Sequence, residues 1–491
     1  MKPLTILIHD HSEYALEPAE IKYTLQTLLT IAGIPWHFLP PSSTSTQISD
    51  LYLGKDRGQP CRLFIEMSSI SRDALSLPAG HVVEDGIVFL LFSQSVNSQP
   101  FLRTADDGRI RQIFNDIVLT GHYLLTGRLE KFLQRDSHDR HAVQESFLYR
   151  YGLLATPIIN QYGLLLRNIF KSTHPFSPPW PDRKKYAVAL SHDVDYPEMI
   201  RSIEVLRYLG RYKSRSRLSK IWDILQNRET FWKFKDWFEL EQRHQVKSSY
   251  YFCGFKGSVL RYLFKTPDPF YDLQKPAYKE IMRFIDSQDF EVGMHSSYLA
   301  YRSVEQSLRE KLKVEEALGK SVWGNRQHYW HLNPDNPSET AIIHDKIGLL
   351  YDSSLSYSKH SGFRYSICSP FHFYDPVGKK QVPVLQLPPT LMDDHLFGYS
   401  SCAKFSTWKS HIDTLLESVR IHEGILVVDY HVRTLNNTFY PDWGESYEYL
   451  VSKITACADF YCDIPLNIAK YWLQREHEIA QISQDEHRNL D

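Results

Sequence analysis

The stretch Tyr186-Ala187-Val188-Ala189-Leu190-Ser191-His192-Asp193-Val194-Asp195 constrains this chain more than any other. Mostly apolar residues run into a histidine and two acids, between Pro181 and Pro197. A run so short and so bounded predicts a buried strand with charged residues at its C-terminal end. In parallel α/β architectures that end carries the chemistry. Buried carboxylates need a partner charge or a metal, so Asp193 and Asp195, one residue apart, point to a site. The plainer alternative is a strand-end turn with solvated acids.

At 491 residues the chain is expected to hold two or more domains. A net charge of -2 gives no reason to expect nucleic acid or an anionic membrane as main partner. Aromatic residues make up 13% of the chain, which suits sugar-binding clefts and large cores equally. The cysteines (Cys61, Cys253, Cys368, Cys402, Cys457, Cys462) are scattered, with no CxxC pair and no sign of a disulfide framework. The apolar run Leu4 to Ile8 is too short for a signal peptide. No stretch approaches the ~20 apolar residues of a membrane span. The expectation is a cytoplasmic protein with no integral membrane segment; the oligomeric state is left open.

Before the opening stretch, alternating patterns predict strands at 4–8, 34–39, 62–67 and 87–92. A helix is expected between Pro18 and Gly33. This reads as a small α/β domain over residues 1–172, expected to carry no chemistry of its own. No Gly-rich phosphate loop joins its strands and helices. His9, Asp10 and His11 read as a solvated loop. Residues 110–133 and 150–170 read as helical. Pro175, Pro178, Pro179 and Pro181 break any helix or central strand, so 173–183 is expected to be a linker.

After the linker, strands and helices alternate to about residue 475. The stretch 198–245 is helical and rich in Lys and Arg, read as a solvated helical face. Strands are expected at 246–254, 290–294, 322–324, 347–351, 384–387 and 425–430. Helices are expected at 277–288 and 302–318, the latter with Val304, Leu308, Leu312 and Leu318 on its buried stripe. Polar residues recur at the strand ends: Asp193 and Asp195, then His295, then Arg326 with His328 and Tyr329, then Asp393, then His431. A barrel of parallel strands collects a site from separate segments in this way. Residues 476–491 read as a polar tail.

Aspartate and histidine at strand ends suit a divalent metal such as zinc. A second carboxylate off the metal can act as general base, and a distant histidine as acid. An arginine can hold the base by a bidentate contact. Such a set hydrolyses amides or esters.

Over roughly 184–470 these residues resemble the polysaccharide deacetylases of carbohydrate esterase family 4, the chitooligosaccharide-deacetylase-like enzymes. Ser191-His192-Asp193-Val194-Asp195 is similar to their first motif, and Gly293-Met294-His295-Ser296-Ser297-Tyr298 to their second. Gly324-Asn325-Arg326-Gln327-His328-Tyr329 is similar to the third, and Leu426 to His431 to the late one. Tyr351-Asp352-Ser353-Ser354, Gly362-Phe363-Arg364 and Leu391-Met392-Asp393 resemble a subgroup with an N-terminal α/β extension.

The resemblance implies a distorted (β/α) barrel at 184–475 beside the N-terminal α/β domain. It implies Asp193 as base, Asp195 and His295 as metal ligands, Arg326 orienting the base, and His431 as acid. His328, Asp393 and the Tyr329 backbone N–H would then face the substrate. It further implies a metal-dependent hydrolase of carbon–nitrogen bonds, with zinc as cofactor. The substrate would be an N-acetylated glycan, deacetylated during surface-polysaccharide biosynthesis.

The family carries a second metal histidine four residues after the first, and this chain has Leu299 there. His192, His328 or His395 is left to complete the ligand set. The competing expectation, favoured by Leu299, is a catalytically silent barrel that binds glycans or a protein partner. A two-carboxylate glycosidase is weaker, because no second strand offers a paired Glu.

Overall fold

The computed structural model describes residues 2–9, 14–40, 48–57, 60–68, 70, 76–92, 100–211, 217–226, 228–258, 261, 266–398 and 405–485. Asp10, His11 and the last six residues lie outside them. The architecture is mixed α/β, built on two main sheets.

The first sheet has six strands: β1 (Leu4–Ile8), β2 (Trp36–Phe38), β3 (Ser49–Gly54), β4 (Cys61–Glu66), β7 (Leu102–Thr104) and β8 (Ile110–Ile113). Their order is β2-β1-β3-β4-β8-β7, parallel except for β7 against β8. A separate hairpin pairs β5 (Gly80–Glu84) with β6 (Ile87–Leu91). Two sequence expectations change here. Strand β3 sits mid-sheet although its Ser49-Asp50 opening hides it from apolar pattern matching. Ile110–Ile113 is a strand, and the helix begins only at Ile117, capped by the Asp116 side chain on the Leu119 N–H.

The second sheet lies entirely after the proline-rich segment. It comprises β9 (Tyr186–Val194), β10 (Ser248–Cys253), β11 (Glu291–Ser296), β12 (Gly324–Gln327), β13 (Tyr351–Asp352), β14 (Phe371–Asp375), β15 (Lys380–Gln386), β16 (Pro389–Met392), β17 (Ile425–Asp429) and β18 (Phe460–Cys462). The order β14-β15-β13-β12-β11-β10-β9-β17-β16 is parallel except for β14, with β18 also on β9. The sheet curls into a half-barrel. Among the described residues no ladder joins its two ends, so the expected full barrel is not closed by backbone pairing. The strand expected at 347–351 shrinks to Tyr351–Asp352. The helix Pro337–Lys346 runs up to Ile347, and Gly348 turns with φ 73°.

All nine residues of β9 are buried, as a strand covered on both faces requires. Alternation sends Val188, Leu190 and Val194 to one core and Ala187 and Ala189 to the other. Ser191 and Asp193 continue the Ala187/Ala189 face. That face is shaped by two glycines. A Cβ on Gly293 would meet the Tyr251 ring at 2.5 Å, and one on Gly324 would meet the Tyr351 hydroxyl at 2.1 Å. Their absence lets both tyrosines lie under the site, hydroxyls 2.8 Å apart, with Tyr351 donating to Glu291.

The segment 173–183, expected as a linker, is tied down. Buried Trp180 donates to the Glu423 carbonyl at 2.9 Å. Arg475 donates to the carbonyls of Thr30, Ser177 and Pro178. Residues on both sides share one core, in which Leu28, Ile117 and Ile159 join Leu355, Phe371 and Val382. Arg364 forks onto Glu130 at 2.9 and 2.7 Å. The sheets therefore divide where the prolines fall, while the apolar core does not. The final helix, Pro465–Asp485, continues through ten residues that read as polar tail, with Ile479 buried. In the helix Val304–Leu318 the expected stripe fails. Leu308 and Leu312 are exposed, and Ser307, Glu310 and Val314 face inward, because Glu310 accepts from the Ser297 N–H and hydroxyl.

Two buried carboxylates in the first sheet's region set an acid limit. Burial would raise Glu20, but His122, the Glu17 N–H and Arg128 hold it down to about 2. Burial would raise Asp50, but His174 and the Thr5 N–H and hydroxyl hold it down to about 2. Depressed carboxyls contribute stability that is present above the unfolded value near 4 and lost as pH falls toward the folded one. Urea midpoints are expected to drop between pH 5 and 2.5 by the equivalent of about 2 kcal/mol per carboxyl. Glu20→Gln should flatten that slope; an unchanged slope would remove Glu20 as its cause.

Candidate functional site

At the C-terminal ends of β9, β11, β12 and β17 the polar residues converge. Pairing aligns His295 with Arg326 across β11 and β12, and Asp429 with Ser191 across β17 and β9. Asp193 and Asp195 share a face because they are two apart, and His192, one residue before Asp193, points the other way. His192 is fully buried, with Nδ1 2.9 Å from the Tyr430 carbonyl and Nε2 2.9 Å from Glu241. It is thus used in the core and is no ligand candidate. His395 is also elsewhere, pushed down to about 3 by burial and then by His360.

The third histidine is His328. Ligand atoms of Asp195, His295 and His328 all lie within 4.8 Å of one another. Asp195 Oδ1 is 3.0 Å from His295 Nε2 and 3.6 Å from His328 Nε2. Each of these three buried atoms lacks a hydrogen-bond partner. Buried polar atoms without partners are costly and call for an explanation. The other ring nitrogens are held from behind. His295 Nδ1 donates to the Arg326 carbonyl at 2.9 Å, which leaves Nε2 its lone pair, and His328 Nδ1 lies 3.5 Å from Asp268. Outer partners of that kind fix a metal-binding imidazole's tautomer and orientation. Two nitrogens and a carboxylate oxygen fit zinc's donor preferences. Burial would raise the Asp195 carboxyl, but His328, His295 and His431 hold it well below the usual range. Burial would lower His328, but Asp195 and then Asp268 raise it to about 9.

Arg326 is fully buried between two carboxylates. Its Nη1 lies 3.0 Å from Asp193 Oδ1 and 2.9 Å from Asp429 Oδ1. The expected bidentate fork onto Asp193 is absent. Nε and Nη2 go instead to the carbonyl and hydroxyl of Ser353, at 3.1 and 3.0 Å. The guanidinium lies 4.5 Å from the Tyr251 ring centre. Burial, then the neighbouring Asp193 charge, pushes Asp429 well above the ordinary carboxyl range.

His431 faces Asp195 Oδ2 through Nε2 at 3.2 Å. Its Nδ1 is 2.9 Å from Asp393, which also accepts from the His431 N–H at 2.7 Å. Burial would lower His431, but Asp393 raises it well above its usual value. Asp393, expected at the substrate, is a buried partner of His431.

Tyr329 and Trp330 adopt left-handed backbone, φ 62° and 59°, where the chain turns out of β12. Residues from the N-terminal region close this edge. Arg140 Nη1 donates to the Tyr329 carbonyl at 3.3 Å, and His138 Nδ1 lies 2.9 Å from the Tyr298 hydroxyl. Arg140 and His138 of the N-terminal region therefore lie against Tyr329 and Tyr298 at this edge.

Sequence reasoning missed Asp429 and Asp268 as site residues. Asp429 carried a signal, an acid within an apolar strand two residues before His431. Asp268, in Thr266-Pro267-Asp268-Pro269, carried none.

A family of unknown function, DUF7033, matches residues 11–175. No curated protein matches the chain. Among solved structures, a probable polysaccharide deacetylase from Pseudomonas aeruginosa PAO1 is 15% identical, covering 62% of this chain and 96% of its own, with a TM-score of 0.39. A candidate polysaccharide deacetylase from Mycobacterium smegmatis is 18% identical over 61% of this chain and 95% of its own, TM-score 0.40. A CE4 family pseudoenzyme from Bacillus anthracis is 15% identical over 60% and 70%, TM-score 0.27.

Proposed function

We propose that this chain is a metal-dependent hydrolase that removes acetyl groups from N-acetylated sugars, in the making of a surface polysaccharide. The observation that carries the reading is one strand end that gathers three groups. They are the unsatisfied Asp195–His295–His328 set, the Asp193–Arg326 pair and the His431–Asp393 pair. Asp195, His295 and His328 would hold the ion. A bound divalent cation supplies Lewis acidity and lowers the pKa of water.

The protein's own groups do the rest. Asp193 accepts the proton of the attacking water, and Arg326 fixes the carboxylate that receives it. His431, kept protonated by Asp393, returns a proton to the leaving nitrogen. Leu299 favours a silent binder; against it, the placing of His328 beside Asp195 and His295 supports a ligand set that does not need position 299.

The test is acetate release from a panel of N-acetylated oligosaccharides by protein whose metal content has been measured. Release that disappears on chelation and returns with zinc is expected. Metal-loaded protein that releases no acetate across the panel, yet binds the glycans, would establish the silent binder instead.

A further inference from the structure

A cavity lies between the region before the proline-rich segment and the loops that follow β12 and β13. Its volume is about 50 Å³, counted as space open to the centre of a water-sized sphere. One water needs ~10–15 Å³ on that measure, so there is room for several waters or for one ring-sized molecule. The wall is largely apolar. Leu129, Phe147 and Leu148 come from one side of the proline-rich segment, Trp330 and Leu332 from the other, and all are buried. Exposed Asp139 and half-buried Ser146 and Ser358 also line it, so the cavity reaches the surface on that side.

The charges in the wall are already paired. Glu130 takes the Arg364 fork, and Arg140 is held by Asp136 and the Tyr329 carbonyl. Two buried atoms in the lining, the Tyr365 hydroxyl and His141 Nδ1, have no hydrogen-bond partner. Tyr365 is 4% exposed, and its hydroxyl lies against Gly127, another lining residue, where a Cβ would meet it at 2.1 Å. Tyr365 also stands on left-handed backbone, φ 63°. A bulky residue keeps that conformation only when its surroundings impose it, and such residues cluster at ligand clamps and active sites. His141 Nε2 lies 2.9 Å from the Pro334 carbonyl and donates to it, which leaves Nδ1 a lone pair with which to accept.

We propose that this cavity binds a neutral, ring-sized molecule with one hydroxyl, a phenol or a cyclic alcohol. Buried waters need about two to four polar partners each, and the Tyr365 hydroxyl and His141 Nδ1 cannot serve several waters. The apolar wall suits a hydrocarbon body instead. A hydroxyl on that body can donate to His141 Nδ1 or accept from Tyr365. A carboxylate cannot donate to Nδ1, and the cations of the wall, Arg140 and Arg364, are already taken. The occupant would touch both sides of the proline-rich segment, so binding should stabilise the folded chain. It would also touch Trp330, whose ring centre lies 5.5 Å from the Arg326 guanidinium. The proposal stands apart from the proposed chemistry and does not depend on it.

The experiment is calorimetric titration of the full chain with para-cresol, toluene and para-toluate. Saturable binding of para-cresol is expected, roughly 5-fold tighter than toluene, the worth of one net hydrogen bond. Para-toluate should not bind, because its charge would be buried unpaired. Tyr365→Phe keeps the ring and removes the hydroxyl, so it should weaken para-cresol toward toluene and leave toluene unchanged. Val143→Phe and Leu129→Phe each add bulk to the lining and should abolish binding of both. Circular dichroism shows which of these two variants folds, and one folded variant suffices; if neither folds, Tyr365→Phe decides. Para-cresol should also raise the melting temperature of wild type. No saturable binding of para-cresol would overturn the proposal, as would unchanged binding by a folded filling variant or by Tyr365→Phe. Toluene or para-toluate bound as tightly as para-cresol would overturn the ligand class.

Discussion

Asp193→Asn is expected to lower acetate release by about 10²–10⁴-fold, the usual size of a general-base contribution, with metal content unchanged. The amide keeps the shape of the carboxylate but cannot accept a proton. It leaves the ligand set whole, because Asp193 Oδ2 stands 3.8 Å from His295 Nε2 and outside the Asp195–His295–His328 group. It does not orphan Arg326 either, since Asp429 lies 2.9 Å from the same Nη1 and Ser353 takes the other two nitrogens. The variant should therefore fold and bind metal like wild type, and only turnover should fall. Elemental analysis beside the acetate assay separates the two. Turnover within threefold of wild type would remove Asp193 as base. Arg326→Lys should also be severe, because an ammonium cannot bridge both carboxylates and still satisfy Ser353.

What could be read from the sequence follows from how strands end. Asp193, His295, Arg326 and His431 each close or lie within a short apolar run, so period and position sufficed to find them. Asp195 followed from the two-residue alternation. The sequence puts His328 beside Arg326 and leaves it two readings, one at the substrate and one, shared with His192 and His395, as third metal ligand. Its place in the metal group depends on the left-handed turn at Tyr329 and on Asp268, which no local pattern announces. Leu308 and Leu312 misled because a helix stripe was judged by hydrophobicity alone. Glu310 faces inward to serve the Ser297 N–H and hydroxyl, and that rotates the helix away from its leucines. The proline cluster marked a true division between sheets. It could not show that Trp180 and the carbonyls of Ser177 and Pro178 anchor the segment to Glu423 and Arg475. Contacts between residues hundreds of positions apart leave no trace in periodicity.

Removing His295 or His328 should abolish stoichiometric zinc binding, and this places the third ligand. With three protein donors, loss of one leaves an imidazole and a carboxylate, a set too small to close a tetrahedral site. His295→Ala and His328→Ala are therefore expected to lose metal to a competing chelating dye at concentrations where wild type keeps it, and to lose acetate release with it. Asp268→Asn should be milder. It keeps the ligands but weakens the acceptor behind His328 Nδ1, 3.5 Å away, and such partners change affinity by about 10–100-fold. Leu299→Ala should leave metal binding unchanged, because position 299 is not part of the proposed Asp195–His295–His328 set. The comparison discriminates because both histidines are buried in the same cluster, and nonspecific damage would affect them alike. Protein that loses metal with His295→Ala but keeps it fully with His328→Ala would place the third ligand elsewhere. Retention by both would remove the metal site itself.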